Sequence, residues 1–214
     1  MTKSALIVWG GWDGHTPEQS ARLVGSMLES HDFAVDIEPT TEAFADEHLG
    51  RYDLIVPAIT MSRIEREELT NLLAAVRNGT GLAGFHGLMS DSFRNEPDYQ
   101  FMVGGQWVAH PGNIIDFTVN VTRPDDPIMQ GLGDFPYHSE QYYMHFDPSI
   151  EVLATTTFSG EFFEEIGGVV MPVVWKRRFG KGRVFHSTLG HVVDEFQVPQ
   201  MRTLFERGAL WAAR

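Results

Sequence analysis

The sequence predicts a doubly wound α/β fold with a mostly parallel sheet, on three observations. Short apolar runs bounded by glycine and proline recur along the chain, too short for helices and continuous enough for strands buried on both faces. Amphipathic stretches with recognisable start and stop chemistry lie between them. The strand, helix, strand order repeats through residue 86, and such repeats close into parallel sheets by right-handed crossovers.

Ser4-Ala5-Leu6-Ile7-Val8-Trp9 reads as the first buried strand, and Gly10-Gly11-Trp12-Asp13-Gly14-His15 as a glycine-rich loop at its carboxyl end. A helix to about Ser30 follows, with Thr16 as cap, Pro17 in the first turn and Gln19 completing a capping box. His15 then precedes a helix amino terminus, where free N–H groups favour oxygen-rich ligands. Phe33 to Glu38 alternates as an edge-like strand, followed by a short acidic helix from Thr41 to His48. Tyr52 to Pro57 is a third strand, and Ile64 to Asn78 a helix stopped by Gly79. Leu82-Ala83-Gly84-Phe85 is the central strand, and it places His86 at its carboxyl end, where open parallel sheets bind ligands. The alternative role for His86 is a hydrogen bond within its own turn.

The regular pattern breaks after residue 87. Leu88 to Gly112 is polar, aromatic and glycine-rich, the composition of a binding loop, and carries Gln106, Trp107 and His110. Its other reading is a packed loop in which Trp107 closes the core. Asn113 to Thr122 alternates as a strand, and the stretch from Asp134 to Pro148 holds a second cluster that includes Glu140, Tyr142 and Tyr143. Residues 151–157 and 169–177 read as an antiparallel pair, and Arg183 to Ser187 as a last buried strand with His191 shortly after it. A final amphipathic helix spans Pro199 to Ala213. The expectation is one domain over residues 1–214, with an insertion of loops and antiparallel strands at about 88–177.

Composition narrows the function classes. The chain has 214 residues, 43% of them hydrophobic, enough for one large α/β core. Its net charge of −13, with 16 basic residues among 29 acidic ones, excludes the clustered cations of a nucleic-acid site. No segment approaches the ~20 apolar residues of a membrane span, and no signal-peptide core opens the chain, so a cytoplasmic protein is expected. The absence of cysteine removes thiolate metal ligands and thiol nucleophiles together. No nucleotide cofactor is expected, because no Gly-Lys-Ser/Thr follows the first loop.

The motifs Gly10-Gly11-Trp12-Asp13-Gly14-His15, Gly84-Phe85-His86-Gly87, Gly104 to Gly112, Ser139-Glu140-Gln141-Tyr142-Tyr143 and Gly180 to Phe185 with Leu189-Gly190-His191 occur in this order over nearly the whole chain. Together they resemble the ThuA-like, trehalose-utilisation family of the class I glutamine amidotransferase-like superfamily. The resemblance implies a flavodoxin-like sheet with a nucleophile turn after a central strand. Glutaminases of that superfamily carry a cysteine in this turn, with a His and a Glu from a late strand. Here His86 stands in the place of the thiol, so a thioester route to glutamine hydrolysis is ruled out. The family name implies disaccharide catabolism, including that of oxidised (keto) sugars.

His15, His86, His110 and His191 all fall after expected strands or in loops covering their ends, and they are the candidate metal ligands. Imidazoles gathered without thiols suit Zn, Mn, Ni or Fe, and Glu140 would complete a mixed site with an open position. His86, His191 and Glu140 are the candidate catalytic groups, with or without a metal, since imidazole exchanges protons near neutral pH. Trp12, Asp13, Gln106, Trp107, Tyr142 and Tyr143 are the candidate substrate contacts, because aromatic faces and polar neighbours together suit a sugar. The chain reads as a hydrolase, lyase or isomerase of a small carbohydrate, with homo-oligomerisation left open. Its alternative is a catalytically silent sugar-binding or regulatory module on the same fold.

Overall fold

The computed structural model describes residues 2–214. Its first strands are β1 (Lys3–Gly11), β2 (Phe33–Glu38), β3 (Leu54–Thr60), β4 (Gly81–Phe85), β5 (Gly105–Ala109) and β6 (Ile114–Val121). They continue with β7 (Phe135–Glu140), β8 (Tyr143–Phe146), β9 (Glu151–Thr157), β10 (Val170–Phe179) and β11 (Gly182–Ser187). The helices are α1 (Pro17–Glu29), α2 (Arg66–Asn78), α3 (Gly87–Ser90), α4 (Pro97–Val103) and α5 (Pro199–Ala212).

Nine strands form one sheet in the order β2-β1-β3-β4-β11-β10-β9-β6-β7. From β2 to β11 all pairings are parallel, which is the flavodoxin-like arrangement, and the four expected strands at residues 5–9, 53–57, 82–85 and 183–187 lie together in it. From β10 to β7 the pairings are antiparallel, and residues 151–157 and 170–176 pair as expected. One face of the sheet packs on α1 and α5, the other on α2 and α4, while α3 gives Leu88 to the first core and Met89 to the second. Phe205 of α5 lies edge-on to Phe85 at 4.9 Å and to Phe196 at 5.6 Å. Each such fully buried side chain contributes ~1.5–3 kcal/mol through apolar area removed from water.

Two local expectations need correction. Thr16 does not cap α1: it sits at φ 47°, and its hydroxyl instead accepts the Val193 amide at 2.9 Å. The turn Asp13–His15 runs straight into α1, which leaves Thr16 left-handed and its hydroxyl free for a tertiary bond. A reciprocal capping box exists at α2, where Glu65 and Glu68 serve each other's backbone. Gly79 ends that helix at φ 125°, as the Asn-Gly pair predicts. The stretch expected to be a loop from Leu88 to Gly112 instead contains most of α3 and all of α4 and β5. These elements are too short to display a period, and buried Tyr99, Met102 and Val103 fix α4 by tertiary packing.

The β6–β7 hairpin shapes the site. A flat sheet would set β7 five strand spacings from β4, about 24 Å away. Yet β6 pairs with β9 only at Asn120 and Val121, so the hairpin leaves the sheet beyond them. It folds back until Glu140, the last residue of β7, meets His86 just past β4.

Candidate metal and active site

The carboxyl ends of the parallel strands deliver three imidazoles to one place. The turn after β1 brings in His15, β4 ends at His86, and the loop after β11 carries His191. His86 occupies a sharp strand-to-helix turn at φ 48°, ψ −150°, a backbone conformation that a non-glycine residue adopts only under the constraint of its surroundings. Its side chain is fully buried. The fourth member is Glu140, and one ligand atom from each of His15, His86, Glu140 and His191 lies within 4.8 Å of the others.

His86 Nδ1 donates to the Thr188 carbonyl at 2.8 Å. A carbonyl can only accept, so Nδ1 carries a proton, and Nε2 is the nitrogen that faces inward, where a metal would use its lone pair. That Nε2 lies 3.1 Å from Glu140 Oε2 and 3.2 Å from His191 Nδ1, and the third side of the triangle, His191 Nδ1 to Glu140 Oε2, is 3.3 Å. A carboxylate oxygen and two imidazole nitrogens so close need a proton or a cation between them. Metal bonds of about 2.0–2.1 Å put neighbouring ligands ~2.9 Å apart at an octahedral centre and ~3.4 Å apart at a tetrahedral one. The triangle falls within that range. A ligating histidine that donates its other nitrogen to a backbone carbonyl is also the usual outer-shell arrangement. His15 Nδ1 is buried without a hydrogen-bond partner among the described residues, leaving a spare donor atom beside the triangle. The donor set therefore fits a divalent metal.

The electrostatics agree. Burial, then the neighbouring rings of His86 and His191, lower the His15 pKa to about 3, so this imidazole is neutral and able to ligate. Burial pushes the Glu140 carboxyl up, but hydrogen bonds with His191 and His86 outweigh it and hold the group well below the usual carboxylate range. For His191 burial pushes down, while the Glu140 carboxylate, with a smaller contribution from Glu195, turns the net direction upward.

Above the cluster opens a cavity of about 380 Å³, a size ordinary for a small-ligand site. Trp12, Met61, Asp91, Trp107, Asn113 and Tyr142 contribute to its walls. The Tyr142 ring stacks on His86 with centroids 4.1 Å apart, and burial, then Glu140, drives its hydroxyl pKa well up, so it stays protonated. Trp12 is 51% exposed and offers an open aromatic surface at the rim. Trp107 lies against the Arg94 guanidinium at 5.0 Å and the His110 ring at 5.5 Å. Asp91 is buried, which raises its pKa, and one of its oxygens accepts from Arg94 at 2.7 Å.

Four candidates fall outside the cluster or the cavity. His110 is not among the converging ligands: its Nε2 lies 3.6 Å from Glu140 Oε1, the oxygen turned away from the triangle, so it flanks the carboxylate. Gln106 lines a separate cavity of about 350 Å³ with His145 and Phe146. Tyr143 follows Tyr142 in the chain and faces the other way, packing on Phe158 at 5.7 Å. Asp13 is exposed in the turn after β1 and is not part of the cavity wall. The site also uses residues that the sequence did not single out. Asn113 stands in a stretch with no motif, and Glu195 acts through the His191 backbone, which no spacing rule reveals.

The fold and site define a flavodoxin-like α/β protein in which the turn after the central strand β4 holds a histidine, facing a carboxylate and two further imidazoles. The chain belongs to the ThuA family: the family model described as trehalose utilisation matches residues 4–212. A ThuA-like protein from Parabacteroides merdae is similar in structure, with TM-score 0.78 and 21% identity, over 99% of this chain and 89% of that one. A ThuA-like protein from Bacteroides uniformis gives 0.76 and 19%, over 98% and 90%. A cytoplasmic protein of Salmonella typhimurium LT2 gives 0.66 and 16%, over 99% and 100%. At these identities the likeness is one of fold. No curated protein matches the chain in sequence. Among the described residues no helix is long and apolar enough to cross a membrane.

Proposed function

We propose that this chain is a cytoplasmic carbohydrate-acting enzyme, a hydrolase, lyase or isomerase of a disaccharide or keto-sugar. In this reading His15, His86, His191 and Glu140 hold a divalent metal of the Zn, Mn, Ni or Fe group. The observation that carries it is the triangle of His86 Nε2, His191 Nδ1 and Glu140 Oε2 beneath a cavity with aromatic walls. A metal so held supplies Lewis-acid polarisation of a sugar carbonyl or a bound water of lowered pKa. The protein's own groups do the rest. Trp12 covers the apolar C–H face of the sugar, while Asp91 and Asn113 take its hydroxyls. Tyr142, kept protonated, donates to an oxygen in the cavity. Where no metal is bound, His191 Nδ1 and Glu140 share a proton that the pair can exchange with a reacting hydroxyl.

The test is turnover of disaccharides and their keto derivatives, with metal content, by wild type, His86→Ala and His191→Ala, each checked for folding. Loss of turnover and of metal in both variants, with the fold retained, is the expected result. Full activity in both on every accepted substrate overturns the assignment. Saturable sugar binding by wild type without turnover under any metal condition identifies a silent binding module instead.

A further inference from the structure

One carboxylate outside the cluster is placed to build it. Glu195 sits in the short turn Val193–Gln197 and accepts four hydrogen bonds. Its Oε2 takes the backbone amides of Gly190 at 3.1 Å and His191 at 3.0 Å, and the Tyr137 hydroxyl at 2.6 Å. Its Oε1 takes the Ser139 hydroxyl at 2.6 Å. The first two donors lie on the loop that carries His191, and the last two on β7, which ends at Glu140. The sheet order sets these two segments well apart, since three strands lie between β11 and β7. Glu195 does not touch the His191 ring, so it is not the carboxylate of a glutaminase-type His–Glu pair. Alongside it, the Val193 amide donates to Thr16 Oγ1, which ties the same loop to the residue after His15.

We propose that Glu195 is a positioning residue, a latch that fastens the His191 loop to the strand bearing Glu140 and so sets the ligand triangle before a metal arrives. The inference rests on the metal reading above. A carboxylate suits the task because it accepts from both amides and both hydroxyls at once, with strong charge-assisted bonds. An amide side chain in its place has one accepting oxygen and turns an NH2 either toward the two amides and Tyr137 or toward Ser139. Outer-shell groups that orient ligands in this way typically govern metal affinity by 10- to 100-fold.

The experiment compares wild type, Glu195→Ala, Glu195→Gln and Asp126→Asn. Asp126 forms a buried ion pair with Lys176 remote from the cluster, so its variant controls for lost stability alone. Each chelator-stripped protein is titrated with Co²⁺, read by its visible absorption band, and hydrogen exchange is followed at the Gly190 and His191 amides. Glu195→Ala is expected to bind Co²⁺ at least tenfold more weakly with an altered band. Glu195→Gln should fall between it and wild type, and Asp126→Asn should match wild type. Faster exchange at the two amides is expected in the Glu195 variants only. Co²⁺ affinity in both Glu195 variants within twofold of wild type overturns the latch. If Glu195→Ala does not fold, Glu195→Gln, which keeps the volume and one acceptor, carries the comparison. Absence of Co²⁺ binding by wild type overturns the metal reading instead, and the latch is then decided by the exchange rates, with unchanged rates refuting it.

Discussion

A single methyl group can test whether His15 belongs to the cluster. A Cβ added at Gly87 would stand 2.5 Å from His15 Cε1 and 2.9 Å from the Tyr142 hydroxyl, where ordinary contacts are ~3.5–4.0 Å. The two rings must therefore retreat by about 0.5–1 Å, out of their packed positions against His86. Both are buried; Tyr142 lies on His86, and His15 meets His86 and His191 edge-on at 4.9 and 5.1 Å. Overpacking of this kind costs ~1–3 kcal/mol. At roughly 2–4 °C per kcal/mol for a chain of this size, Tm falls by about 2–12 °C. Gly208→Ala makes the matching control on α5: its Cβ would meet the Phe185 ring at 2.3 Å, costing similar stability away from the cluster. Calorimetric titration with Zn²⁺ beside thermal melts should separate the two. Gly87→Ala is expected to lose at least ~tenfold in metal affinity, as ligand displacement does, while Gly208→Ala keeps wild-type affinity. Equal affinity in both variants, with Tm lowered in both, would show that His15 is a packing residue and refute the reasoning.

Two further outcomes follow from burial and exposure. His186 is fully buried, packs on Trp175 at 4.4 Å, and has no hydrogen-bond partner for either ring nitrogen among the described residues; burial lowers its pKa to about 3. The unfolded chain takes up this proton below about pH 6.5 and the folded one does not, so stability falls as pH drops from about 6.5 toward 3. The loss is about 2 kcal/mol between pH 6.5 and 5. His15 pulls in the same direction over the same range, whereas His191, whose pKa is raised, contributes stability that is lost as pH rises. Urea unfolding of metal-free protein at several pH values should show a shallower dependence in His186→Leu, and an unchanged slope would count against a neutral buried imidazole. Trp12→Ala should weaken sugar binding with stability shifted by no more than ~0.5 kcal/mol, because the ring is half exposed at the cavity rim. Unchanged affinity by titration would remove Trp12 from the binding surface.

The parallel half of the fold and the position of His86 were legible in the sequence. Buried runs of four to seven apolar residues, helix stops such as Asn78-Gly79 and the strand–helix alternation are local signals, and they specify which faces are buried and where strands end. His15, His86 and His191 could be placed at the sheet's ligand-binding edge from those signals alone, and the missing cysteine ruled out thioester chemistry without any geometry. The tertiary structure decided which distant groups meet them. Glu140 reaches His86 because the β6–β7 hairpin leaves the sheet and folds back, and Glu195 holds that return through two amides and two hydroxyls. The same fold turns His110 to the far oxygen of Glu140, sends Tyr143 away from Tyr142 and draws Thr16 from the helix cap to Val193. Periodicity reports burial one element at a time, whereas these contacts depend on how far a sheet curls and which loops it brings together, and such closure is a property of the packed chain as a whole.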